Sequence, residues 1–338
     1  MMKNMRVAAA AMLLAACAGL SACGAVDSIR GMLPGGSAET AAGQSVGSAE
    51  SYNTYVDLYN SMVSGSLSSR VSDYFDGVQE QEEFATVEDG RYISYGFSEY
   101  DYELLDKAQA QAEAGTGYEA LDAAAAALCP AAKQVMELLD SAAAYGKQQG
   151  YADDDYAKAR EIHAEFYPAL SQYYDRAGAF SGELLTVGEE RRQAELQMLR
   201  DEGYTLRAGM MELLDTADEI MEKFYEQETI SSENITELDL TEIRPLYDKL
   251  AEQTAQVLKD SEDQEEIEKE GFDPSFNRVS DFADDAAALK VSLQEIISRV
   301  EENDPLSEIE LQMGDMTEGS LEKWMSSYND LIDTYNRL

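Results

Sequence analysis

The chain of 338 residues holds a single histidine and three cysteines, and its 25 lysines and arginines stand against 67 aspartates and glutamates. Each shortage excludes something. With one imidazole, catalysis that needs histidine, or a transition-metal site of the usual kind, rests on His163 or does not exist. The deficit of bases argues against nucleic acid as a partner, because phosphates need Lys and Arg. It argues equally against adhesion to anionic lipid through charge. No H-E-x-x-H or P-loop occurs. Gly115-Thr-Gly-Tyr-Glu-Ala120 fits G-x-G-x-x-A, but it follows an Ala/Gln-rich helical stretch and not a strand. Ser320-Leu-Glu-Lys323 fits S-x-x-K without its companion motifs. With 67 acids, glycosidase-like carboxylate pairs arise by chance. The expectation is a protein that is not an enzyme and carries no cofactor.

Long apolar runs are also missing. Val7–Leu20 is too short to span a bilayer, which takes about 20 residues. It follows Lys3 and Arg6 and precedes Leu20-Ser-Ala-Cys-Gly24. That order of basic start, short apolar run and small residues is a secretory signal peptide over 1–22. The cysteine after the small residues makes it a lipobox, with Cys23 as the lipidation site. Leu14-Ala-Ala-Cys17 also fits a loose lipobox, but it leaves a stunted apolar run of about seven residues, at the very bottom of the usual range. Two acyl chains on Cys23 hold stably where one holds reversibly. The sequence therefore predicts export and attachment, by lipid alone, to the extracytoplasmic face of a membrane in the bacterial cell envelope.

Residues 1–22 contain Lys3 and Arg6 and no acid, so the remainder has 23 bases, 67 acids and a charge of about −44. Such a surface suits cations, basic proteins or peptides, and polar wall material as partners, and it also keeps an exported protein soluble. Past residue 22 only Cys23 and Cys129 remain. With Cys23 lipidated, no intrachain disulfide is available. Cys129, within the apolar run Ala123–Ala132, reads as a buried inert thiol.

Residues 23–49, rich in Gly, Ser and Ala and interrupted by Pro34-Gly-Gly36, form a flexible tether without helical or strand period. Residues 50–338 follow as a helical-bundle domain. Three stripes carry that reading. Leu196, Leu199, Gly203, Leu206, Met210, Leu213, Ala217, Ile220 and Phe224 alternate spacings of three and four. Tyr156, Ala159, Ile162, Phe166, Leu170, Tyr173, Ala177 and Phe180 make the second stripe. Phe276, Val279, Ala283, Ala286, Leu289, Leu293, Ile296 and Val300 make the third. The fold class predicted is all-α, an elongated bundle of long antiparallel helices. Asp153, Asp273-Pro274 and Asp239-Leu-Thr-Glu242 are the expected helix starts. Pro130 and Pro168 should kink or divide their helices. The segment about 84–100 reads as an irregular loop.

Tyr52-Asn-Thr-Tyr-Val-Asp-Leu-Tyr-Asn60 and Tyr328-Asn-Asp-Leu-Ile-Asp-Thr-Tyr-Asn336 share Y-N-x-x-[VI]-D-x-Y-N. The reading preferred is that the two ends pair antiparallel in the core; a duplicated ligand motif is the alternative. With the lipobox and tether, these two motifs resemble the YiiG-like family of uncharacterised bacterial lipoproteins. The resemblance implies a helical extracytoplasmic domain of unknown function and carries over no catalytic residue.

The remaining candidates are few. His163 with Asp153, Asp154 and Asp155 is the candidate metal group, read first as a half-buried histidine and solvated helix-end acids. H-x-x-E, the pattern of imelysin-type proteins, is missing because residue 166 is Phe. The run Glu262–Glu270 is a second acidic helix end, without EF-hand spacing. Tyr92, Tyr95, Phe97, Tyr100 and Tyr102 form an aromatic group in the irregular segment, suited to a sugar or peptide or to packing the loop down. The functional expectation is a non-enzymatic binding or interaction domain at the envelope, with a cation- or solute-binding lipoprotein as the alternative and a carboxylate hydrolase third.

Overall fold

The computed structural model describes residues 49–87, 95–227, 229–273 and 278–338. The signal peptide, Cys23, the tether, Tyr92 and Pro274 lie outside the described residues. Among those described, the β pairing amounts to one isolated bridge between Val78 and Thr86, and the protein is all-α as predicted. The described helices group into two compact units, one ending at Glu189 and the other spanning Glu190–Leu338.

The first unit is built from α1 (Ala49–Leu58), which continues as a π-helical turn over Tyr59–Val63, then α2 (Ser66–Gly77) and α3 (Glu99–Ala114). After these come α4 (Glu119–Lys147), the single turn α5 (Tyr151–Asp154) and the first part of α6 (Ala157–Glu202). Helix α1 packs on α3, and α2 and α3 pack on α4. Gly115, at φ +79°, closes α3, and the short turn to Glu119 folds α4 back along it. The core contains Tyr52, Leu58, Leu128, Phe166 and Phe180, all fully buried. From Ala159 to Phe180 the second stripe is buried as predicted; Tyr156 instead sits in a left-handed turn at φ +61° before α6.

Pro130 and Pro168 divide neither helix: α4 and α6 run through them. An internal proline costs about 3 kcal/mol. Each is flanked by core residues, Leu128 and Ala132 in α4, Phe166 and Leu170 in α6. Burying one large apolar side chain contributes about 1.5–3 kcal/mol, so two turns of core contact outweigh one lost hydrogen bond.

The second unit holds the end of α6, then α7 (Thr205–Glu226), a 3₁₀ turn at Ser232–Glu237, α8 (Ile243–Asp260) and α9 (Gln264–Lys269). It is completed by α10 (Arg278–Glu302), α11 (Glu308–Met313), a 3₁₀ turn at Gly314–Met316 and α12 (Leu321–Tyr335). Helix α8 packs on α7 and α10, and α10 on α12. Leu206, Leu213, Leu250, Phe282, Leu289 and Trp324 lie in one continuous core.

The first predicted stripe spans a helix break. Gly203, at φ +73°, ends α6; its N–H reaches the Arg200 carbonyl at 3.1 Å, and the Tyr204 N–H reaches that of Leu199 at 2.8 Å. The heptad spacing survives across the turn because Leu199 and Leu206 are both buried, so periodicity alone could not reveal it. Asp239 likewise is not the N-cap of α8, which starts at Ile243, three residues later than that reading; its carboxylate accepts the Thr241 N–H at 2.9 Å in the turn before the helix. Of the echo motifs, Tyr52-to-Asn60 lies in the first unit and Tyr328-to-Asn336 in the second, and Tyr52, Tyr55, Tyr59 and Tyr328 are buried.

Candidate functional site

His163 lies in α6 at 0% exposure, deeper than the half-buried position expected. Its Nε2 is 2.8 Å from the Gln81 carbonyl oxygen, which can only accept, so Nε2 carries the proton. Nδ1 is then the acceptor for the Tyr74 hydroxyl at 3.0 Å. Burial holds the imidazole below its ordinary pKa, against the opposing pull of the Gln81 carbonyl. The ring is neutral, and both nitrogens are engaged. Phe84 meets it edge-on at 5.7 Å between centroids and Tyr74 stacks at 6.0 Å. The chain's lone histidine thus fastens the irregular segment after α2 onto α6.

Asp153, Asp154 and Asp155 do not gather around it. Asp153 and Asp155 are exposed, and Asp155 turns the chain at φ +51°. Asp154 does the work of a helix start: it accepts the Lys158 N–H at 3.2 Å and the Tyr145 hydroxyl at 2.6 Å. The Tyr145 bond chiefly lowers its pKa. Among the described residues no three of His, Cys, Asp and Glu are placed to hold a metal ion.

The acidic run Glu262–Glu270 is also a capping device. Asp263 caps α9, accepting the Glu265 N–H at 3.0 Å and the Glu266 N–H at 3.3 Å. Glu270 is buried and reaches the open N-terminus of α7, where Leu206 donates to it at 2.8 Å and Arg207 at 2.7 Å. The Arg207 side chain returns two bonds to the Glu270 carbonyl, at 3.1 and 3.0 Å. Burial pushes the Glu270 carboxyl up to about 7, against the two backbone donors. Glu195, on the last turns of α6, is buried as well and pushed up to about 7 by burial, against the pull of Arg191 and Arg207.

Among the described members of the aromatic group, Tyr95 and Tyr100 are exposed, at 52% and 64%. Tyr95 lies beneath the Arg70 guanidinium at 5.1 Å. Tyr102 donates to Asp140 at 2.6 Å and the Phe97 N–H to the same carboxylate at 2.8 Å. A Cβ at Gly96 would come within 2.8 Å of Asp140. Asp140 therefore pins this segment to α4, a role with no sequence signal because it joins residues about forty positions apart. Cys129 is buried, and burial pushes its thiol up to about 12, which makes it an unreactive core residue as read.

Two polar centres escaped the sequence reading. In the first unit the Tyr55 hydroxyl donates to Asp122 at 2.5 Å, and Thr116 adds its N–H and hydroxyl at 2.8 and 2.7 Å. In the second, Tyr328 donates to Asp218, whose other oxygen meets Arg192 at 3.1 Å; Arg192 also meets Asp215 at 2.8 Å. Burial raises the Asp218 pKa, while Tyr328 and Arg192 oppose the rise. Both centres include a tyrosine of an echo motif bonded to an aspartate of another helix. Arg192, Asp215, Asp218 and Tyr335 also line a shallow recess with Met211 and Ile332. Its enclosed space is about that of one water, too small to take in a substrate. The arrangement ties α6, α7 and α12 together.

No solved structure matches the chain. It is similar to the uncharacterised protein YiiG of Escherichia coli (strain K12), with 23% identity over 301 residues that cover 86% of this chain and 78% of that protein. Residues 48–337 match a family described as a protein of unknown function, DUF3829. That match takes in both helical units, and the chain belongs to the DUF3829 family.

Proposed function

We propose that the protein is a lipid-anchored lipoprotein of the bacterial envelope whose helical units act as a non-enzymatic interaction domain. The observation that carries the anchor is the run Leu20-Ser-Ala-Cys-Gly24 behind a short basic and apolar start. The absence of any helix long and apolar enough to cross a membrane among the described residues leaves Cys23 as the proposed point of attachment. The interaction role is supported by how the chemically able groups are used. His163, Glu270, Asp154, Asp122 and Asp218 each hold one element against another. What remains for a partner is the outer surface, strongly acidic and studded with a few apolar side chains.

The anchor is tested by the mass of the N-terminal peptide from membrane-extracted protein. A peptide starting at Cys23 and carrying a diacylglyceryl mass supports the reading. One starting at another residue, with an unmodified thiol, overturns it.

A further inference from the structure

Three large apolar side chains stand exposed close together in the sequence of the second unit: Ile309 at 72%, Met313 at 43% and Met316 at 71%. Ile309 and Met313 are four apart on α11 and share one face; Met316 follows in the adjoining 3₁₀ turn. Burying them in the core would be favourable, yet the segment is firmly built with them outside. Ser307 and Glu310 form a capping box. Arg299 holds Glu310 at 2.7 Å and the Glu318 carbonyl at 3.0 Å, and Thr317 bonds the Glu310 carbonyl at 2.7 Å. Leu306 is buried and Leu311 packs on the core. The apolar face is therefore presented on a fixed frame.

Its surroundings state the charge of what covers it. From 301 to 318 the chain has seven acids and no base. Arg299 pairs with Asp304 and Glu310, and Glu302, Glu308, Asp315 and Glu318 of the same stretch are exposed. Acids in that number disfavour an anionic membrane surface and a second copy of this acidic chain. Methionine suits a surface that adapts to a partner helix.

We infer that the Ile309/Met313/Met316 face is a docking surface for a basic amphipathic helix of a partner protein, its apolar stripe on these side chains and its lysines or arginines on the flanking carboxylates. The inference rests on the reading of the chain as an interaction domain and is independent of the lipid on Cys23, whose test reads a different quantity.

The test uses the full chain in zwitterionic vesicles, with protein-free vesicles as blank. The probe is a fluorescent helical peptide with leucines on one face and lysines on the other, followed by anisotropy. The variant Ile309→Gln/Met313→Gln/Met316→Gln keeps every charge and alters only exposed side chains; an unchanged thermal midpoint verifies its fold. The expected result is binding weakened on the order of tenfold, about 1.4 kcal/mol, with a glutamate/leucine peptide at least as weak. Equal binding by wild type and variant would show attraction by charge alone and overturn the proposal. Slowed amide exchange across 308–316 without peptide, at rising protein or lipid content, would assign the face to a second copy or to lipid and overturn it too.

Discussion

Tyr74 donates a hydrogen bond from its hydroxyl to His163 Nδ1 across 3.0 Å, while the ring's other nitrogen donates to the Gln81 carbonyl. The pair makes the protein's stability sensitive to acid. The folded imidazole has a pKa below that of the unfolded chain because burial disfavours its charged form. Its contribution is therefore complete above the unfolded value of about 6.5 and is lost as pH falls through the folded value. The thermal midpoint of wild type should exceed that of His163→Gln at about pH 7.5, and the gap should shrink toward about pH 5. A gap constant across that window would mean the ring is not held neutral.

Glu195 works with the opposite sign. Its folded pKa, about 7, lies above the carboxylate's ordinary 4.5 because of burial. The folded state then holds the proton more tightly, so this contribution is complete below about 4.5 and is lost as pH rises through about 7. Between about pH 5 and about pH 8 the midpoint of Glu195→Gln should fall less than that of wild type, by a few degrees. Parallel midpoint curves for the two proteins would contradict the buried, protonated carboxyl.

The start of α7 offers a prediction free of side-chain contacts. Gly203 has φ +73°, and a Cβ there would meet nothing closer than Lys269 Nζ at 3.9 Å. Gly203→Ala should thus cost only the left-handed backbone, about 1–2 kcal/mol in urea unfolding. Glu270→Ala removes the acceptor for the Leu206 and Arg207 N–H groups and should cost about 1–3 kcal/mol. Hydrogen exchange locates the second effect: those two amides should lose protection while Leu213 keeps it. Uniform loss along α7 would argue against a local cap.

What the sequence shows of this fold follows from the range of each interaction. The stripes at Ala159–Phe180 and Val279–Ile296 were legible because each lies within one helix and its residues face one core. The break at Gly203 was hidden because the 3,4 spacing continues across it and both flanking leucines are buried. The prolines do not divide their helices, because the core residues beside them offset the local helix cost. Among the candidate residues, the burial of Cys129 is legible in its apolar run, whereas His163 lies deeper than a half-buried flank position. Its partners Tyr74 and Gln81 lie more than eighty positions away. Glu270 was visible only as one acid in a run of acids; nothing local distinguishes it from Glu268, and only the fold brings it to the N-terminus of α7. Asp122, Asp140 and Asp218 carried no sequence signal, since their tyrosine partners come from other helices.

On the proposed reading, one lipidated cysteine, Cys23, holds the helical units at the membrane. Fractionation of cells expressing Cys23→Ser measures it most directly. Wild type should stay with the membrane in high salt. The variant should appear in the soluble fraction with helical circular dichroism and a thermal midpoint matching the detergent-extracted wild type. A Cys23→Ser protein that remained on the membrane in high salt would contradict the single-anchor account.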